Sequence, residues 1–143
     1  MTSTHLAIVD DEIAITTLLG SYLAAHDELL GPRNEFTVLT VVPAVPPQVT
    51  HFISKDTLST YYADQAASVL RPITSFATQQ GWKVSTRHEV GHAAEVISKA
   101  ATAEGFDMVI LGSHGHSSLG SLFMGSVASG VLARCKTPTL VIR

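Results

Sequence analysis

Gly112-Ser113-His114-Gly115, then nine residues, then Gly125-Ser126-Val127, is the stretch of this chain whose residue types and spacing could do chemistry. The chemistry it suits is holding phosphate. Gly112 and Gly115 carry no Cβ, so backbone can approach a ligand closely, and both can enter left-handed turns. Successive N–H groups in such turns form an anion-binding concavity. Gly125-Ser126 then opens a helical stretch, and a helix N-terminus offers unpaired N–H groups and the positive end of its dipole. Ser126 is placed either to cap that helix or to donate its hydroxyl to a phosphate oxygen.

Other reactive residue types give weaker patterns. His114 and His116 form an HxH pair, but no third or fourth ligand stands at a metal-site spacing, so they read as loop histidines beside phosphate oxygens rather than zinc ligands. Asp10-Asp11-Glu12 has the acidic opening of a phospho-receiver domain. The acceptor aspartate at the end of a third strand is missing, since Asp56 sits in a polar helix start. The single Cys135 cannot form an intrachain disulfide and lies in a helical pattern with no evident base nearby. No GxxxxGK[ST] lysine and no general base aimed at a γ-phosphate are found, so dedicated catalysis is not expected.

The elements that must position the loop follow from two alternating periods. His5–Asp10 reads as strand one, and Ile15, Leu18, Leu19, Tyr22 and Leu23 keep helical spacing up to Gly31-Pro32. Phe36–Val42, rich in β-branched residues, is strand two. Pro43–Val49, with three prolines, reads as a surface loop. A long amphipathic helix carries Leu58, Tyr62, Ala66, Val69, Ile73 and Phe76, with a kink or break expected at Pro72. Trp82–His88 reads as strand three, and Ala93, Val96, Ile97 and Ala100 mark the next helix. Asp107–Leu111 is an unbroken apolar run, as in a strand buried on both faces. A helix from about Gly125 to Arg134 and a last strand at Thr139–Ile142 complete the pattern. Alternation of this kind makes an α/β fold: a three-layer, open, five-stranded parallel sheet, Rossmann-like, with 1–143 as one domain. Ligands in such sheets sit at the carboxyl ends of the strands, where the strand order reverses.

On these residues the chain resembles the universal stress protein family, in its ATP-binding subgroup. The spaced glycines Gly112, Gly115 and Gly125-Ser126 match, as do the flanking DMVILGSHG run, the GSVAS helix start and the closing PTLVIR strand. The resemblance covers nearly the whole chain and implies an adenine nucleotide alpha hydrolase-like fold. It implies that Gly112, Ser113, Gly115, Gly125, Ser126 and Val127 contact ribose and phosphates through backbone, that Asp10 lies near adenine and ribose, and that the backbone of Val41 reads the adenine edge. Asp11-Glu12 replaces the usual Gly-Ser, and His116 stands where many relatives have arginine, so phosphate affinity is expected to be lower or pH-dependent. The resemblance also implies dimerisation through strand 139–142, whose open edge invites pairing.

Composition bounds the partners. The formal net charge is −3 and no run of Lys or Arg exists, so nucleic acid is not an expected partner. Charged residues are 15%, below the roughly 25% usual for soluble domains, which favours an oligomer. No apolar segment approaches the ~20 residues that span a bilayer, and the start has no signal h-region, so the chain reads as cytoplasmic. The expected function is a regulatory module of the stress response that binds ATP, with or without Mg²⁺, and presents a surface to a protein partner. Two further readings use the same residues: an interaction protein whose loop stays empty, and a weak ATPase or self-phosphorylating enzyme.

Overall fold

The computed structural model describes residues 3–8, 34–113 and 124–142. The strands are β1 Ser3–Ile8, β2 Asn34–Val42, β3 Val84–Val90, β4 Met108–Gly112 and β5 Thr139–Ile142. Among the described residues the helices are α1 Pro47–Thr50, α2 Lys55–Gln79, α3 Ala93–Ala103 and α4 Ser126–Arg134; the helix read from Ile15 towards Gly31 lies outside them. All four strand pairings are parallel, and the sheet runs β3-β2-β1-β4-β5. The chain therefore winds outward from β1 in both directions, which opens a crevice at the carboxyl ends of β1 and β4.

Helices cover both faces. Along β4, Val109 and Leu111 join Leu39 in one cluster with Ile97 and Ala101 of α3 and Ala128 and Val131 of α4. Ile110 faces the other way and packs with Phe36, Trp82, Leu140 and Ile142. Val38 meets Ile73, Val69 and Leu70 of α2 on that second face. Val109 and Ile110 are fully buried, as the unbroken apolar run predicts. Among the described residues, no helix is long and apolar enough to cross a membrane.

Three local expectations are corrected. Of the kink or break expected at Pro72, the break does not occur: helix α2 runs on through it. Pro72 and Ser68 are both exposed, so the carbonyl that loses its partner faces water. Ala66, Ile73 and Ala77, buried on one stripe, hold both halves of the helix against the sheet. The segment 43–49 is not wholly loop, because α1 starts inside it. Pro47 is its first helical residue, where the fixed φ of proline suits the helix and the missing N–H costs nothing. The phenolic oxygen of Tyr62 accepts from the Val45 N–H at 2.9 Å and anchors this turn to α2.

Strand β3 begins at Val84, two residues later than Trp82. Trp82 belongs instead to the end of α2. Gly81 takes φ +72°, its N–H bonds the Thr78 carbonyl at 3.1 Å, and the Trp82 N–H bonds the Ala77 carbonyl at 2.9 Å. This is the paired-bond termination that a left-handed residue permits. The Trp82 ring closes it edge-on against Phe76, centroids 5.6 Å apart.

Candidate functional site

The crevice is bounded on one side by the end of β2. Thr40, Val41 and Val42 close β2, beyond Leu39, which stands in register with Ile8 of β1. The Val42 carbonyl accepts from the Gly91 N–H at 3.0 Å, so Val42 directs its backbone groups towards β3. Neighbouring residues of a strand direct theirs to opposite edges. The N–H and C=O of Val41 thus face the other way, towards the β1 side of β2. Its side chain packs against the α3–α4 cluster.

The other side is the loop leaving β4. Gly112 ends the strand, in register with Ile142. Ser113 is 4% exposed; its N–H donates to the Ile142 carbonyl at 2.8 Å and its own carbonyl accepts from the Gly125 N–H at 2.6 Å. The stem of the loop is therefore closed on itself, and these two N–H groups serve the main chain. Gly125 is the N-cap of α4 at φ −61°, and neither it nor Gly112 is among the positive-φ glycines of the described residues. Asp10, His114, Gly115 and His116 lie outside the described residues.

Helix α4 supplies what an anion needs. Its first main-chain bond runs from the Ser129 N–H to the Gly125 carbonyl at 3.0 Å. The N–H groups of Ser126, Val127 and Ala128 precede that bond and have no intrahelical acceptor. Gly125 has no side chain to cap them; Ser126 is the first helical residue, not the cap, and is exposed. The first turn carries no acidic residue, so the positive end of the dipole is uncompensated by the helix itself.

A cleft of about 330 Å³ adjoins this turn, lined by His92, Ala93, Ala94 and Glu95 of the α3 start and by Ser126, Val127, Gly130 and Arg134 of α4. The structure thus brings Ser126 and Val127 together with His92, Glu95 and Arg134, which sequence reasoning did not place at the site. His92 follows β3, whose carboxyl end lies on the same rim. That position was available in the sequence once β3 was included among the strands feeding the rim. Arg134, eight residues beyond Ser126 on the same helix, had no such signal. Glu95 sits in the first turn of α3 and offsets that helix's dipole, whereas α4 has no counterpart.

A family model described as the universal stress protein family matches residues 23–143. The chain is 31% identical over 111 residues to universal stress protein MJ0577 of Methanocaldococcus jannaschii, a match covering 78% of this chain and 67% of that protein. The solved structure of hypothetical protein MJ0577 superposes with a TM-score of 0.75 at 24% identity, covering 99% of this chain and 96% of that one. The universal stress protein from Archaeoglobus fulgidus in complex with dAMP superposes at 0.60 and 16% identity, with full coverage of both chains. An Arabidopsis thaliana universal stress protein family protein with AMP bound gives 0.68 at 11% identity, covering 98% of this chain and 90% of that one. At these identities the structural likenesses establish a shared Rossmann-like fold.

Proposed function

The chain belongs to the universal stress protein family, and from that premise we propose that it binds an adenine nucleotide, ATP with Mg²⁺ in its fullest form, at the carboxyl rim of the sheet. The observation that carries this reading is the first turn of α4. Its three leading N–H groups lack intrahelical partners, its cap residue has no side chain, and its first turn carries no acidic residue. In this reading the backbone of Val41, turned to the β1 side of β2, gives adenine one donor and one acceptor, the pattern that pairs with its N1 and exocyclic amine edge. Relatives of the same fold described with dAMP and AMP bound support the choice of base.

In this reading the phosphates lie on Ser126 and Val127, with the Ser126 hydroxyl available as a further donor. Asp10 accepts from the ribose, and Gly115 with His114 and His116 completes the cradle. Gly112, Ser113 and Gly125 fix the stem from which the cradle is built. The chain acts as a single-domain cytoplasmic regulatory module of the stress response, in which occupancy changes what the rim presents to a protein partner. Strand β5, at the sheet edge and half-buried along its four residues, pairs with β5 of a second copy.

Binding to the folded state alone raises stability by RT ln(1 + [L]/Kd), about 2.7 kcal/mol at a hundredfold excess over Kd. Thermal unfolding with increasing Mg-ATP is expected to show a midpoint that climbs with the logarithm of concentration. A midpoint unmoved at millimolar Mg-ATP, Mg-ADP and AMP rejects the nucleotide reading.

A further inference from the structure

We infer that strand β5 and the nucleotide site are coupled through a two-bond main-chain relay, Ile142 to Ser113 to Gly125, so that loosening the end of β5 weakens the nucleotide and bound nucleotide holds β5 in the sheet. This deepens the nucleotide reading and rests on it.

The relay is continuous. The Ile142 carbonyl accepts from Ser113 at 2.8 Å, the Ser113 carbonyl accepts from Gly125 at 2.6 Å, and the Gly125 carbonyl accepts from Ser129 at 3.0 Å as the first bond of α4. Three consecutive acceptors thus join the edge strand to the turn that would meet phosphate. Ser113, at the middle, is 4% exposed, so water cannot readily replace either of its bonds. A buried N–H or C=O stripped of its partner bears the full desolvation penalty of that group.

One end of the relay is the weakly held end. Strand β5 has four residues, a single strand neighbour, and no fully buried side chain. Short edge elements of this kind open at the low end of a protein's local-unfolding free energies. When the end of β5 lifts, the Ser113 peptide loses its acceptor, the Gly125 peptide loses its fixed position, and the first-turn N–H groups of α4 are no longer held. Phosphate is met by fixed donors only in the zipped state, and this difference in affinity between two states is what coupling requires. By linkage the effect is reciprocal. Whatever pairs with the open edge of β5 is thereby a positive effector of nucleotide affinity.

Amide hydrogen exchange on the full chain, with and without saturating AMP, reads the relay directly. Bound AMP is expected to slow exchange at both Ser113 and Gly125 by about fivefold or more, the worth of one net hydrogen bond. Trp82, whose N–H bonds Ala77 at the opposite end of the sheet, is expected to be unaffected. Ile142→Ala, which loosens β5 without touching the cradle, is expected to speed exchange at Ser113 and weaken AMP about two- to fivefold, with far-ultraviolet dichroism unchanged. Gly125→Pro keeps the native φ of −61° but removes the second donor, and is expected to weaken AMP by at least as much. If the unaltered chain binds AMP but Ser113 and Gly125 exchange at their free rates, or if Ile142→Ala binds AMP with unchanged affinity, the relay is overturned and the nucleotide site stands. If the unaltered chain binds no AMP at all, both fall.

Discussion

Ser126→Glu is expected to remove nucleotide binding, a loss of at least about 100-fold in affinity, while leaving the unliganded fold as stable as before or slightly more stable. The two halves have opposite signs for one reason. Ser126 is the first residue of α4, exposed, with no capping bond from its hydroxyl to lose. A carboxylate in a helix's first turn meets unpaired N–H groups and the positive dipole end, worth about 0.3–1 kcal/mol to the helix. The same carboxylate occupies the place proposed for the phosphate. Two unit charges about 5 Å apart at an effective dielectric near 20 repel by roughly 3 kcal/mol, and a phosphate carries more than one charge. Ser126→Ala isolates the hydroxyl and should cost about fivefold or less. Calorimetric titration with AMP and urea unfolding of the unliganded chain check the pair. A Ser126→Glu protein that binds AMP normally places the phosphate elsewhere.

Gly130→Val is expected to lower unfolding free energy by about 2–3 kcal/mol. Gly130 lies where α4 crosses α3, and a Cβ built on it stands 2.6 Å from the Cβ of Ala94. Carbon atoms pack best at about 3.5–4.0 Å, so even one methyl group must push the helices apart by about 1 Å. That displacement reaches Ile97, Ala101, Ala128 and Val131, which fill the cluster beneath. Replacing glycine inside a helix gains back up to about 1 kcal/mol of propensity, which is why valine rather than alanine gives the clearer loss. Gly130→Ala combined with Ala94→Gly should recover most of the loss of Gly130→Ala, since the removed methyl group makes room for the new one. Gly130→Val is also expected to weaken AMP, because the turn proposed to face phosphate begins four residues before it on the same helix. Urea unfolding at full stability would contradict the close crossing.

How much of this was open to reading from the sequence depended on whether the deciding interactions were local. Asp107–Leu111 declared a doubly buried strand because no polar residue interrupts Met108–Leu111, and Val109, Ile110 and Leu111 are buried. Thr139–Ile142 was read with its observed ends. Trp82 looked like a strand start because Trp82–His88 alternates, yet its N–H and ring close the cap that Gly81 begins. Pro72 signals a break in isolation, but three buried residues of its own helix outweigh one lost bond.

The site divided along the same line. The glycine spacing marked the loop, and Ser126 and Val127 emerged at the exposed turn it feeds. The spacing did not disclose that Ser113 and Gly125 are tied to each other and to Ile142, since that pairing needs β5 beside β4. Nor did it bring in His92 and Arg134, which reach the cleft only because α3 and α4 cross at Gly130. The direction of the Val41 backbone depends on the bond between Gly91 and Val42, which the strand pattern alone does not fix.

The most direct measurement is a two-dimensional amide NMR titration of the full chain with AMP. The account predicts saturable shifts, on one binding curve, at Val41 on one bank of the crevice and at Ser126, Val127 and Ala128 on the other, with Trp82 and Gly105 unmoved. An AMP-saturated spectrum in which the α4 turn keeps its free positions, or in which the shifts gather at Trp82 and Gly105 instead, would contradict it.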